Sequence, residues 1–144
     1  MNIFIAGGSG AIGRQLVPML VQQGHHVVAM TRTPLGAARI EAMGATPAIG
    51  DVFDSVRLAE LARQAAPELV IHQLTAFGAT DADPLAETIR VRTEGTRNLV
   101  AAAQQAGARR IITHSISSLK ANASKARRCV STVVQWVITS RSPC

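Results

Sequence analysis

The sequence predicts an α/β domain built on a doubly wound parallel sheet, and three observations carry that reading. Short apolar runs alternate with longer segments whose apolar residues recur at helical spacing, the pattern of strands joined by crossover helices. A glycine-rich turn, Gly7-Gly8-Ser9-Gly10-Ala11-Ile12-Gly13, separates the first strand-like run from the first helix-like one. Composition agrees, because 47% of the 144 residues are hydrophobic and only 3% aromatic, a balance suited to Ala- and Leu-rich helices packed on a Val/Ile-rich sheet. That length supports one self-sufficient domain and not two.

The elements follow in order. Asn2 to Ala6 is a short apolar strand, and residues 11–23 carry Ile12, Leu16, Val17 and Leu20 at helical spacing until Gly24 stops them. Pro18 removes one hydrogen bond from this helix and is expected to bend it. His26 to Thr31 reads as the second strand, residues 35–43 as a short helix stopped by Gly44, Thr46 to Ile49 as the third strand and Ser55 to Ala65 as the next helix. Residues 68–73 form the fourth strand, whose Leu69-Val70-Ile71 run suits burial on both faces. A loop over 76–84 leads into one long helix over 85–106, ended by Gly107, and residues 109–114 make a fifth strand centred on Ile111 and Ile112.

Beyond Ser118 the pattern fails. Residues 1–118 hold ten arginines and all nine acids, whereas residues 119–144 hold Lys120, Lys125, Arg127, Arg128 and Arg141 with no acid. The formal charge of +6 therefore belongs mostly to the tail, which also contains both cysteines and the single tryptophan. We divide the chain at that point into a domain over 1–118 and a basic tail over 119–144. The tail's apolar stretch around Val133 to Ile138 leans toward strand. If it finds no place on the sheet it is a liability for association, and the loss of the sheet's later strands is expected to expose an edge beside the fifth strand. The start shows no basic segment followed by an apolar run of signal-peptide length, which suggests the cytoplasm. No stretch approaches the ~20 apolar residues of a membrane span.

The glycine turn carries the chemistry. A dinucleotide pyrophosphate needs bare backbone N–H groups and the positive end of a helix within reach, and side chains would hold the chain away. In this reading Gly7 permits the tight turn, Gly10 the close approach and Gly13 the packing of helix on strand, with Ala11 and Ile12 opening the helix. The alternative is that these glycines only make a strand-to-helix turn. A second signal lies after the second strand, where NAD sites commonly place an acid on the ribose 2′-hydroxyl. Here stands Thr31-Arg32-Thr33, a cation between hydroxyls, which suits a 2′-phosphate and favours NADP over NAD. An ordinary solvated arginine is the plainer reading of Arg32.

Taken together these residues resemble the short-chain dehydrogenase/reductase superfamily, and more closely its extended branch of NAD-dependent epimerases and dehydratases, whose fold is of the Rossmann type. The likeness covers about residues 1–118. Gly50-Asp51-Val52-Phe53-Asp54 is similar to the family's Gly-Asp-x-x-Asp, in which the first Asp contacts adenine, so the resemblance implies cofactor contacts at Asp51 and Val52. A helix N-cap is the alternative, and it suits Asp54 better than Asp51. His72-Gln73-Leu74-Thr75-Ala76 resembles the segment after the fourth strand, usually His-x-Ala-Ala, and implies cofactor contacts at Leu74, Thr75 and Ala76. His72 itself reads as a core histidine.

Arg92 to Leu99 is similar to Asn-x-x-Gly-Thr-x-Asn-Leu with Arg92 in place of the first Asn, or more plainly a helix packing closely at Gly95. Ser115 is the nearest match to the family's catalytic Ser/Thr, and Ser117 a looser one. Relatives then carry a Tyr-x-x-x-Lys pair in which Lys lowers the pKa of the proton-donating Tyr. This sequence has no tyrosine. It therefore implies a truncated Rossmann domain of about five strands, catalytically incomplete in these residues, with the segment from about 119 onward read out of frame. Full-length relatives are expected to act on a small carbonyl or sugar-like substrate. A cofactor-binding sensor or remnant without catalysis is a second reading, and nucleic-acid binding through the basic tail is a third that its single Trp supports poorly.

Overall fold

A computed structural model describes residues 1–74, 84–117 and 130–137. Six strands, β1 (Asn2–Ala6), β2 (His26–Thr31), β3 (Thr46–Ile49), β4 (Leu69–His72), β5 (Arg110–Ser117) and β6 (Val130–Val137), form one sheet in the order β3-β2-β1-β4-β5-β6. β1 to β5 pair in parallel, with Phe4 level with Val28 on one side and Val70 on the other. The helices are α1 (Gly13–Gln22), α2 (Pro34–Ala42), α3 (Ser55–Ala65), α4 (Pro84–Arg90) and α5 (Thr96–Gln105), the last two joined by a π-helical turn over Val91–Gly95. This is the doubly wound, Rossmann-type architecture.

Strand alternation sends successive side chains to opposite faces, and each face has its own core. Phe4, Val28, Met30, Val70 and Ile111 pack against Leu58 and Leu61 of α3 and Leu99 of α5. Ile3, Ile5, Val27 and Ile71 pack instead with Val17 of α1 and Ile40 of α2. Phe4, Ile5, Val17, Ile40 and Val70 are all fully buried. Because β1 lies between β2 and β4, the chain leaves it in opposite directions across the sheet. The crevice at its carboxyl end is where open α/β sheets receive ligands.

Several boundaries differ from the sequence reading for identifiable reasons. The first helical hydrogen bond runs from the Arg14 amide to the Gly10 carbonyl at 3.0 Å, so the helical turn begins at the motif although regular α1 starts at Gly13. Pro18 lies inside α1 without ending it. Pro34 opens α2 one residue earlier than expected, with Thr33 as its N-cap, the position where proline's fixed φ and missing donor do no harm. The single helix expected over 85–106 is interrupted by the π turn, within which Gly95 sits so close to Val52 that a Cβ would stand 3.1 Å from a Val52 methyl. The expectation of an open fifth-strand edge is corrected. β6 pairs antiparallel with β5 along its whole length, from Arg110 opposite Val137 to Ser117 opposite Val130, and β5 accordingly runs three residues past His114.

The loop expected over 76–84 lies, but for Pro84, outside the described residues, as do the basic segment 118–129 and residues 138–144. Among the described residues no helix is long and apolar enough to cross a membrane.

Candidate functional site

A cleft of about 410 Å³ opens over the carboxyl ends of β1 to β4, a volume in the range of small-molecule sites. Its walls come from four stretches far apart in sequence: the glycine turn, Met30 to Thr33, Gly50 to Phe53, and Gln73 with Leu74. Glu87 of α4 and Val91 of the π turn close one side.

The three motif glycines do different work. Gly7 has φ +92°, and an added Cβ would lie 2.8 Å from the Gln73 carbonyl oxygen, so neither the conformation nor the space admits another residue. Its amide and that of Gly8 both donate to the Met30 carbonyl at 3.1 Å, which fastens the turn to β2 and leaves neither amide for a ligand. Gly10 differs, because its Cβ position meets only the Gly7 carbonyl at 3.3 Å and is otherwise open. Gly13 is buried, and a Cβ there would overlap the Gly7 and Gly8 carbonyls; it packs on the turn and does not line the cleft. Ala11 lines the cleft, whereas Ile12 is half exposed outside it. The amides of Ala11, Ile12 and Gly13 occupy the first turn, ahead of any i→i−4 acceptor, where the positive end of the helix dipole lies. An open position at Gly10 beside these first-turn amides fits a diphosphate.

At the end of β2 the structure separates residues that the sequence reading grouped. Thr31 is buried, its hydroxyl 3.0 Å from that of Ser9. The Thr33 hydroxyl accepts from the Gly36 amide at 3.1 Å as the cap of α2, which leaves its proton unused by that bond. The exposed Arg32 lies between them on the cleft wall and is the cation of the group. Gly36 completes the arrangement, since a Cβ there would collide with the Thr31 hydroxyl.

Beyond β3, Asp51 closes a tight turn by accepting from the Phe53 amide at 2.9 Å, and Asp54 caps α3 by accepting from the Arg57 amide at 3.0 Å. Val52 is buried and lines the cleft, its carbonyl held by Asn98 Nδ2 at 3.0 Å. The Arg90 guanidinium stacks 3.9 Å over the Phe53 ring and pairs with Glu94 at 3.0 Å. That hydrogen bond to Glu94 raises the Arg90 pKa further above its ordinary value. His72 is buried with Nε2 3.1 Å from the Thr96 hydroxyl, a core histidine tying β4 to α5.

Of the residues singled out from sequence, the cleft brings together Gly7, Gly10, Ala11, Arg32, Asp51, Val52 and Leu74. Thr75 and Ala76 lie outside the described residues. Ser115 is on β5 opposite Thr132 of β6. Sequence reasoning missed Ser9, Gln73, Glu87 and Val91, which line the cleft. Gly8, a fourth glycine in the turn, does not line it, and a Cβ there would press on the Ala29 methyl.

The sequence profile of the NAD dependent epimerase/dehydratase family matches residues 3–128. The chain belongs to that family. A 3-diazoavenalumate denitrifying reductase of a Streptomyces species is 39% identical over 120 residues, which cover 81% of this chain and 38% of the relative. A UDP-glucose 4-epimerase of Klebsiella pneumoniae is 35% identical over 121 residues, 78% of this chain and 86% of the relative. Among solved structures, UDP-glucose-4-epimerase from Stenotrophomonas maltophila, with bound NAD and formylated UDP-arabinopyranose, superposes with a TM-score of 0.65 at 26% identity. That match covers 77% of this chain and 35% of the other. A yeast methylglyoxal/isovaleraldehyde reductase complexed with NADPH shares the fold, with a TM-score of 0.67 at 16% identity over 77% of this chain and 36% of the other. Apart from the Klebsiella protein, the chain spans about a third of the length of these relatives.

Proposed function

We propose that this domain binds NADP(H) in preference to NAD(H) and supplies the cofactor half of a reductase- or epimerase-like protein acting on a carbonyl or sugar-like substrate. The observation that carries the reading is the cleft itself, which joins Gly10 and Ala11 at the start of the first helix to Arg32 on one side and Asp51 with Val52 on the other. The first-turn amides suit the diphosphate and the Asp51–Phe53 turn the adenine. Arg32 suits a 2′-phosphate, which an acidic residue at that position would repel. Thr75 and Ala76 are included in the cofactor site on their resemblance to the family segment. A bound nicotinamide would supply hydride chemistry, and these residues would hold and orient it.

We further propose that the 144 residues bind without turning over. They contain no tyrosine, so Ser115, the nearest match to the family's catalytic Ser/Thr, has no Tyr-x-x-x-Lys partner among them. The charge break after Ser118 supports reading residues 119–144 as the product of a shifted frame, although the family match runs ten residues past that break, to 128. Shifted-frame translation of the gene past codon 118 tests this, and the absence of family-like sequence with Tyr-x-x-x-Lys there would refute it.

Calorimetric titration with NADPH and NADH tests the binding. The expected outcome is tighter binding of NADPH, a loss of about tenfold or more in NADPH affinity in Arg32→Ala as one charge-assisted phosphate contact is removed, and unchanged NADH binding in that variant. Equal affinities in the wild type would remove the NADP preference, and no binding of either by a folded chain would overturn the reading.

A further inference from the structure

Gln73 stands at the crevice between β1 and β4 with a side chain that the fold does not use. Its backbone is fixed, with the amide donating to the Ala6 carbonyl at 2.8 Å and the carbonyl packed against Gly7. Gln73 is among the residues that line the cleft, but its Oε1 is shut off from solvent and has no hydrogen-bond partner among the described residues, so a ligand reaches it only once the carboxamide turns into the cleft. Such an atom is a net cost to the empty protein, because burying an acceptor without a donor forfeits its hydration. An apolar side chain of the same length would fill the space without that cost.

We propose that Gln73 is a cofactor-positioning residue whose carboxamide oxygen accepts a hydrogen bond from a ribose hydroxyl of the bound dinucleotide, an inference that rests on the binding reading above. The chemistry selects this group. An orphaned acceptor calls for a donor, and the diphosphate offers none. The adenine amino group belongs with the Asp51–Phe53 turn on the far side of β2, whereas Gln73 is beside Gly7, where a ligand crossing the crevice must pass. Ribose hydroxyls are the donors that flank a diphosphate there.

The test is Gln73→Met, which keeps length and removes both polar atoms, read by thermal unfolding of the empty chain and by NADPH titration. The expected result has opposite signs in the two measurements: a melting temperature equal to or above wild type, and a Kd raised about tenfold, the equivalent of one hydrogen bond. Wild-type binding with an unchanged Kd in the variant would overturn this inference alone. A fall in both melting temperature and affinity would also overturn it, since Gln73 would then be supporting the fold. A folded wild-type chain that binds no dinucleotide would overturn it together with the reading beneath it.

Discussion

Each glycine of the turn has its own physical reason, and substitution separates them. At Gly7 the left-handed φ and the 2.8 Å approach to the Gln73 carbonyl mean that Gly7→Ala must strain the backbone or move β4. We expect a loss of about 1–3 kcal/mol in unfolding free energy. Gly10→Ala adds a methyl group that meets only the Gly7 carbonyl, at 3.3 Å, and needs a small shift there, so its melting temperature should fall less than that of Gly7→Ala, while NADPH affinity falls because the methyl occupies ligand space. Chemical denaturation and titration of both variants decide the matter. A Gly10→Ala protein that binds as well as wild type would show that close approach is not required there. The glycines were legible in the sequence because their constraint is local. The dual use of Thr31 and Thr33 was not, because it depends on Ser9, 22 residues away, and on the start of α2.

At the scale of elements, capping and edge protection set the predictions. Thr33 and Asp54 each satisfy an amide of a helix first turn, and replacing either with Ala should cost about 1 kcal/mol. Asp54→Ala should leave NADPH binding nearly intact, and Thr33→Ala should also weaken it, since α2 begins at the cleft wall. The π turn between α4 and α5 adjusts phase along the helix, so that Val91 reaches the cleft while Gly95 seats on Val52 and Asn98 holds its carbonyl. Such insertions are frequent at functional sites. No apolar periodicity announced it, because one extra residue in a turn barely disturbs a 3.6-residue pattern. β6 bears on association in the direction opposite to the sequence expectation. Deleting residues 119–144 removes the strand that covers β5 and leaves its ladder open, so self-association should increase with concentration in light scattering. A deletion variant as monomeric as the full chain would show that β6 does not protect that edge.

For the whole molecule, the two cores lie on opposite faces of the sheet, and the cleft opens over the carboxyl ends of β1 to β4. The glycine turn is held by β2, Val52 by α5, and α5 by His72 of β4. A ligand in the cleft therefore touches parts anchored in both cores, and its binding should stabilise the domain as a unit. NADPH at about 100 times its Kd should add about 2.7 kcal/mol, a rise in melting temperature of several degrees with a single transition. NADPH at saturating concentration that leaves the transition unmoved would count against the binding reading. A rise in only one of two transitions would show that the cores unfold separately.

The sequence by itself determined the alternation of strands and helices, the parallel sheet, the glycine turn and the cation after β2. All rest on periodicity or on steric limits within a few residues. Only the tertiary structure decided which side chains share the cleft, because Gly50 to Phe53, Gln73, Glu87 and Val91 meet through strand order and helix packing, not through spacing. It also decided that the Thr31 and Thr33 hydroxyls are engaged in structure while Arg32 remains exposed, and that residues 130–137 join the sheet antiparallel to β5. Hydrogen-bond partners and sheet edges are pairings between distant segments, and a linear pattern carries the propensity to pair without naming the partner.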